Sequence, residues 1–252
     1  EGDYQPENYN DEYDGMISLR DMVVRSKNTA AVRLLKETGI SKITRTLRNA
    51  GIEEKLPRDL SLALGSPGIS LLSLTRAYQY IATDGTDLTP YAIRSIKTAD
   101  GTLIYQHSDT PSQPVLAHRA SKQIKSILAD VIFTPEGTGK RAALPFPVAG
   151  KTGTSQDYRD AWFIGFSDLY VIGVWMGNDD NTPMNGVTGG SLPAEIWHDV
   201  MAKAHEIHDR GIDAYAKKGG AKPPQNTHYT PAKDDENFSD FLKRFISFSS
   251  PQ

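Results

Sequence analysis

The sequence predicts an α/β fold of the α+β type, with an antiparallel sheet flanked by helices. Two strand-forming runs, Ala161 to Phe166 and Leu169 to Met176, are separated by only two residues, which makes a hairpin. A polar run, Gly150 to Ser155, lies close enough upstream to pair with them as a third strand. Helical periodicity fills residues 18–85 and 118–133 before this sheet and returns at 191 after it. At 252 residues the chain suffices for one large domain or two small ones.

Each element has a local cause. Ser18-Leu19-Arg20-Asp21 opens the first helix like a capping box. Thr29 to Leu35 begins the second, and Gly39 suits its end. Ser41 to Gly51 reads as a short helix. Leu60 to Ser66 alternates like a short strand or extended segment. Ser70 to Thr83 carries apolar residues at 71, 74, 77, 78, 81 and 82, a helical stripe with Gly85 beyond it. Asp100-Gly101 between Tyr91–Thr98 and Thr102–Tyr105 signals a hairpin. His118 to Phe133 is a further helix. Gly137-Thr138-Gly139-Lys140 lacks the preceding strand and full spacing of a nucleotide loop, so it reads as a connection to the Lys151 strand. Asn178 to Gly190 is a polar, glycine-rich loop. Ser191 opens a helix through about His208, with Pro193 in its first turn. Residues 1–218 read as the main domain, and 219–252 as a linker followed by a short amphipathic tail built on Phe238, Phe241, Leu242, Phe245 and Ile246.

Composition excludes several functions. There is no cysteine, hence no thiol nucleophile, disulfide framework or thiolate metal site; this also suits an oxidising compartment. Net charge is −3 and no basic block is large enough for nucleic acid. His205 and His208 stand three apart on a polar helix end and read as solvated histidines, so no metal is expected, and no cofactor motif is present. No apolar run is long enough to cross a bilayer, and no signal peptide opens the sequence.

The chemistry concentrates in Val148-Ala149-Gly150-Lys151-Thr152-Gly153-Thr154-Ser155. If this strand edges a cleft, Lys151 and the hydroxyls of Thr152 and Thr154 bind a carboxylate. Side chains two apart on a strand share a face, so both threonines point the same way. Gly153, with no Cβ, lets a substrate backbone approach. With Asp160-Ala161-Trp162-Phe163-Ile164-Gly165 behind it, the string resembles the third motif of penicillin-binding proteins. Ser26-Lys27-Asn28, between two helical patterns, resembles their second motif; alone it fits a plain helix cap equally well. The flanking strings, Gly15 to Arg20 and Val24 to Val32, look like the class A, bifunctional members.

That resemblance implies a penicillin-binding protein/β-lactamase-like transpeptidase fold and a serine acyl transfer on D-Ala-D-Ala stem peptides of peptidoglycan. β-Lactams would be mimics of the substrate. It implies that Ser26 relays protons, that Asn28 orients substrate and that Lys151, Thr152 and Thr154 hold the terminal carboxylate, with the Thr154 N–H as one oxyanion donor. The family's first motif, Ser-x-x-Lys, is absent: Ser26, Ser41, Ser73, Ser121 and Ser155 all lack a lysine three positions on. The nucleophile is therefore expected in an upstream segment, together with a membrane anchor and a glycosyltransferase domain in the parent protein. The expected setting is the periplasmic, extracytoplasmic face of a bacterial inner membrane. A D,D-carboxypeptidase uses the same motifs with water as acceptor. A β-lactamase needs a deacylating water, and its usual glutamate loop is not recognisable between Ala82 and Gly139. A non-catalytic wall-binding scaffold is the third alternative.

Overall fold

A computed structural model describes residues 8, 13–65, 68–86, 89–108 and 117–217. The linker and tail expected over 219–252 lie outside the described residues. Helices α1 (Leu19–Val24), α2 (Asn28–Thr38) and α3 (Ile40–Asn49) come first, and α4 (Leu71–Ala82) follows. A small hairpin, β1 (Ser95–Lys97) and β2 (Leu103–Gln106), precedes α5 (His118–Phe133). Strands β3 (Ala149–Thr154), β4 (Asp160–Phe166) and β5 (Val171–Gly177) and helix α6 (Leu192–Lys217) complete the order.

The three long-range strands form an antiparallel sheet in the order β3-β4-β5. The pairing is in register throughout, with Lys151 opposite Ile164 and Trp162 opposite Trp175. Helices cover both faces, as the alternation of side chains requires. On one face Trp197, Ala194 and Met201 of α6 bury Phe163 and Val148. Gly165 lies against the Trp197 ring there. On the other face Leu128 and Ala129 of α5 bury Ala149 and Phe166, and Tyr78, Ile81 and Ala82 of α4 pack on the same cluster. Gly173 of β5 lies against Thr75 and Leu71 of α4. A separate cluster of Leu35, Ile52, Leu56 and Leu62 holds the N-terminal helices together.

Local signals explain most boundaries. The Ser18 hydroxyl accepts the Asp21 N–H at 3.0 Å and starts α1. Gly101 sits at φ +88° in the β1–β2 turn, where a side chain would be strained. Leu60–Leu64, expected as a strand or extended segment, is instead a 3₁₀ helix. Asp59 caps it through the Ser61 N–H at 2.9 Å, and among the described residues no strand pairs with it. Its three leucines alternate in sequence, but a 3₁₀ turn aligns residues three apart, so Leu60 and Ala63 lie against the helical cluster and Leu62 is buried in it. Helix α6 runs nine residues beyond the expected His208. The expectation of solvated histidines fails at His205. Its ring stacks on Phe146 at 4.1 Å, and Nε2 lies 2.8 Å from the buried Ser167 hydroxyl.

Candidate functional site

The site begins where α1 ends. Ser26 N–H donates to Val23 O at 3.2 Å and Lys27 N–H to Met22 O at 2.9 Å, the paired bonds of a helix-terminating turn. That turn needs a left-handed residue, and Ser26 supplies it at φ +53°. Glycine is the default there, and a serine costs on the order of 1 kcal/mol of backbone strain. Ser26 is thus not the cap of α2; Lys27 holds that position without a side-chain bond. The Asn8 carboxamide oxygen caps α2 instead, accepting from the Thr29 N–H at 3.2 Å. Asn28 opens α2 two residues beyond Ser26.

The strained turn aims the Ser26 hydroxyl at β3. Lys151 Nζ donates to Ser26 Oγ at 2.8 Å, across 125 residues of sequence. A chain of partly buried contacts links the two elements. Arg20 of α1 forms an ion pair with Asp130 of α5, whose side chain is only 5% exposed, and donates to Ser126 Oγ at 3.1 Å. Helix α5 in turn packs Leu128 and Ala129 on Ala149 of β3. Lys27 points elsewhere, to Asp14 at 2.8 Å.

Among the described residues β3 pairs only with β4, so its far edge is open. Ser155 N–H donates to Asp160 O at 2.9 Å. Backbone groups alternate in direction along an antiparallel strand, so the N–H and C=O of Thr152 and Thr154 face the open edge. The Thr152 carbonyl accordingly accepts from Lys151 Nζ at 3.0 Å. Lys151 also donates to Thr152 Oγ1 at 3.3 Å.

Two contacts here have no counterpart in the motif reading. Thr138 Oγ1 lies 2.8 Å from Thr152 Oγ1. Gly189 N–H donates to Thr154 Oγ1 at 3.0 Å. The 178–190 loop folds so tightly over β3 that a Cβ on Gly189 would lie 2.3 Å from Trp162 O and 2.5 Å from Gly153 O. Only glycine fits. Thr152 and Thr154 thus meet consecutive residues of this loop, since Thr152 Cγ2 is the side-chain neighbour of Gly190. The clue was the glycine pair itself, which reads as a flexible loop unless one knows what lies beneath it. Arg159 and Tyr158, after β3, are tied to the same loop through Asn181 O and the Met184 N–H.

Comparison with known proteins fits this geometry. The model for the penicillin-binding protein transpeptidase domain matches residues 1–202. This chain belongs to that family. Penicillin-binding protein 1A of Aquifex aeolicus is 37% identical over 226 residues, which is 89% of this chain and 30% of that protein. Penicillin-binding protein 1C of Escherichia coli is 37% identical over 79% of this chain and 24% of its own length. Penicillin-binding protein 4 of Bacillus subtilis is 33% identical over 81% of this chain and 33% of its own length. The chain therefore spans about a third or less of these relatives, and they place it among the class A members. The crystal structure of penicillin-binding protein 1A from Haemophilus influenzae superposes with a TM-score of 0.71 at 25% identity, covering 79% of this chain and 36% of that one.

Within the transpeptidase domain, Lys151 has the most perturbed electrostatics of the open edge. Burial pushes its pKa down from 10.5 to about 8. A lysine depressed in the folded state binds fewer protons than the unfolded chain between pH 8 and 10.5. Stability from this group therefore rises across that window. Any anion binding at Lys151 would move the other way, because the ammonium is lost above its pKa. Penicillin acylation by the full-length protein is expected to fall up to about tenfold per pH unit above 8, while the melting temperature does not fall for this reason. A pH profile flat from 7 to 10 would contradict the assignment of Lys151 as the anion's cation.

Proposed function

We propose that this domain carries the D,D-transpeptidase reaction that cross-links peptidoglycan stem peptides. The 2.8 Å bond from Lys151 to Ser26 is the observation that supports it most directly. Two hydroxyl- and ammonium-bearing motifs far apart in sequence meet at one open strand edge. A plain cap and a solvated edge lysine have no reason to touch.

In this reading the substrate's D-Ala-D-Ala end lies along β3 as an added strand. Its terminal carboxylate meets Lys151 and the Thr152 and Thr154 hydroxyls, with Gly153 giving the backbone clearance. The Thr154 N–H, facing the open edge, stabilises the oxyanion with the nucleophile's own N–H. The nucleophile is a serine of a Ser-x-x-Lys segment outside these 252 residues. Its oxygen bonds to the penultimate D-Ala carbonyl carbon, the amide C–N bond breaks, and terminal D-Ala leaves. The serine's proton ends on the departing amine. In this reading Ser26 passes it, which the bond from Lys151 supports, since the Ser26 oxygen accepts and its own proton stays available to donate. Asn28 orients the substrate from the start of α2. An amine of a neighbouring stem then attacks the ester, forms the new amide and returns a proton to the serine. β-Lactams enter the first step and stop there. In this reading the reaction occurs on the extracytoplasmic face of a bacterial inner membrane, to which the parent protein is anchored. No helix among the described residues is long and apolar enough to cross a membrane. Residues 1–218 form the domain in this reading, with 219–252 as linker and tail.

Incubation with a fluorescent penicillin, followed by mass spectrometry, tests this. The full-length protein is expected to form one stable adduct, and the 252-residue chain alone none. Rapid turnover of the drug would indicate a hydrolase instead. No reaction of the full-length protein would indicate a scaffold. An adduct on Ser26 would overturn the placement of the nucleophile outside this chain.

A further inference from the structure

The conformation of the 137–139 loop leads beyond the motif residues. Thr138 is held between two buried glycines directly after α5. Gly139 N–H donates to Val131 O at 2.8 Å and Gly137 N–H to Thr134 O at 3.1 Å. Its carbonyl oxygen lies where a Cβ on Gly190 would stand 2.3 Å away, so the loop is clamped from the other side as well. Its hydroxyl lies 2.8 Å from Thr152 Oγ1. Thr152 Oγ1 also takes a hydrogen bond from Lys151 Nζ at 3.3 Å.

A hydroxyl has one proton and two acceptor sites. If Thr138 donates to Thr152, then Lys151 and Thr138 together fill both acceptor sites of Thr152. Among the described residues the Thr152 proton then has no further oxygen to serve and turns outward. An anion needs a donor, and this arrangement makes Thr152 a donor only. Resting on the transpeptidase reading above, we infer that Thr138 is a positioning residue: it fixes Thr152 as a hydrogen-bond donor to the substrate's carboxylate. Thr154 is arranged on the same principle, with the Gly189 N–H filling one of its acceptor sites. The two hydroxyls therefore present protons from one face of β3, each backed by a rigid neighbour from a glycine-rich loop.

The test is inactivation kinetics of the full-length protein with benzylpenicillin, comparing wild type, Thr138→Val and Thr138→Ser. Valine keeps the branched shape and removes the hydroxyl. The expected result is about a tenfold weaker noncovalent binding constant for Val, the scale of one lost hydrogen bond to a charged group, with a smaller change in the acylation step. Serine should restore binding to within about threefold, because it returns the donor. Melting temperatures report on folding, and Thr138→Ala replaces valine if the latter misfolds. Equal kinetics for wild type and Val would overturn the inference and leave the transpeptidase reading intact. So would a loss that serine does not rescue, or one that tracks a lower melting temperature, since either marks a packing role. A wild-type protein that takes no penicillin would overturn the transpeptidase reading, and this inference with it.

Discussion

Lys151→Ala in the full-length protein is expected to slow penicillin acylation by roughly 10²–10³-fold, the cost of removing a preorganised charge from a developing or bound anion. Stability should not fall in parallel. Burial penalises the Lys151 ammonium and pushes its pKa down to about 8, so deleting the charge relieves a cost at neutral pH. The lost bonds are those to Ser26 Oγ, Thr152 O and Thr152 Oγ1. Ser26 and Thr152 lie near enough to the surface for water to replace the ammonium. The measurement is the second-order acylation rate beside the melting temperature. A variant that acylates at the wild-type rate, or one that simply unfolds, would contradict the role given to Lys151.

Trp197→Ala carries the largest expected stability effect. Trp197 is fully buried, its ring centroid lies 5.1 Å from that of Phe163, and its indole N–H donates to Ile172 O at 3.0 Å. Truncation removes the ring that seats α6 on β4 and leaves the Ile172 carbonyl without that donor. Such changes cost about 3–5 kcal/mol. For a domain of this size that lowers the melting temperature by roughly 6–20 °C. Thermal unfolding followed by near-ultraviolet circular dichroism of the full-length protein gives the number. Trp197→Phe should recover part of it, because the packing returns without the hydrogen bond. A loss under about 1 kcal/mol for alanine would mean that α6 does not close this face of the sheet.

The two expected effects separate the proposed binding residue from the packing that supports it, and the sequence discloses these unequally. The Lys151 strand and Ser26 were legible because their chemistry resides in residue identity and order. A lysine with spaced hydroxyls on a polar strand is unusual next to a buried hairpin, and it recurs in a known family. Trp197 carried no such signal: it shares its helix with Ile196 and Val200, which are equally apolar and which the fold leaves largely exposed, at 41% and 46%. Helical spacing gives a stripe but not which residue of it meets the sheet. Leu60–Leu64 shows the converse failure. Alternating leucines suited a strand, and the Asp59 cap with the left-handed Gly65 made a 3₁₀ turn instead.

By itself, then, the sequence determined the helices, local caps such as Ser18, the β4–β5 hairpin, and the motifs to which Ser26, Lys151, Thr152 and Thr154 belong. Those depend on interactions within a few residues or on the identity of a side chain. Only the tertiary structure decided that Ser26 takes the left-handed position at the end of α1 rather than capping α2. It alone brought Thr138 to Thr152 and Gly189 to Thr154. These contacts are set by how α1 docks on α5 through Arg20 and Asp130, and by how two glycine-rich loops fold down on β3. Such docking depends on the summed burial of many side chains, and no short window of sequence contains that sum.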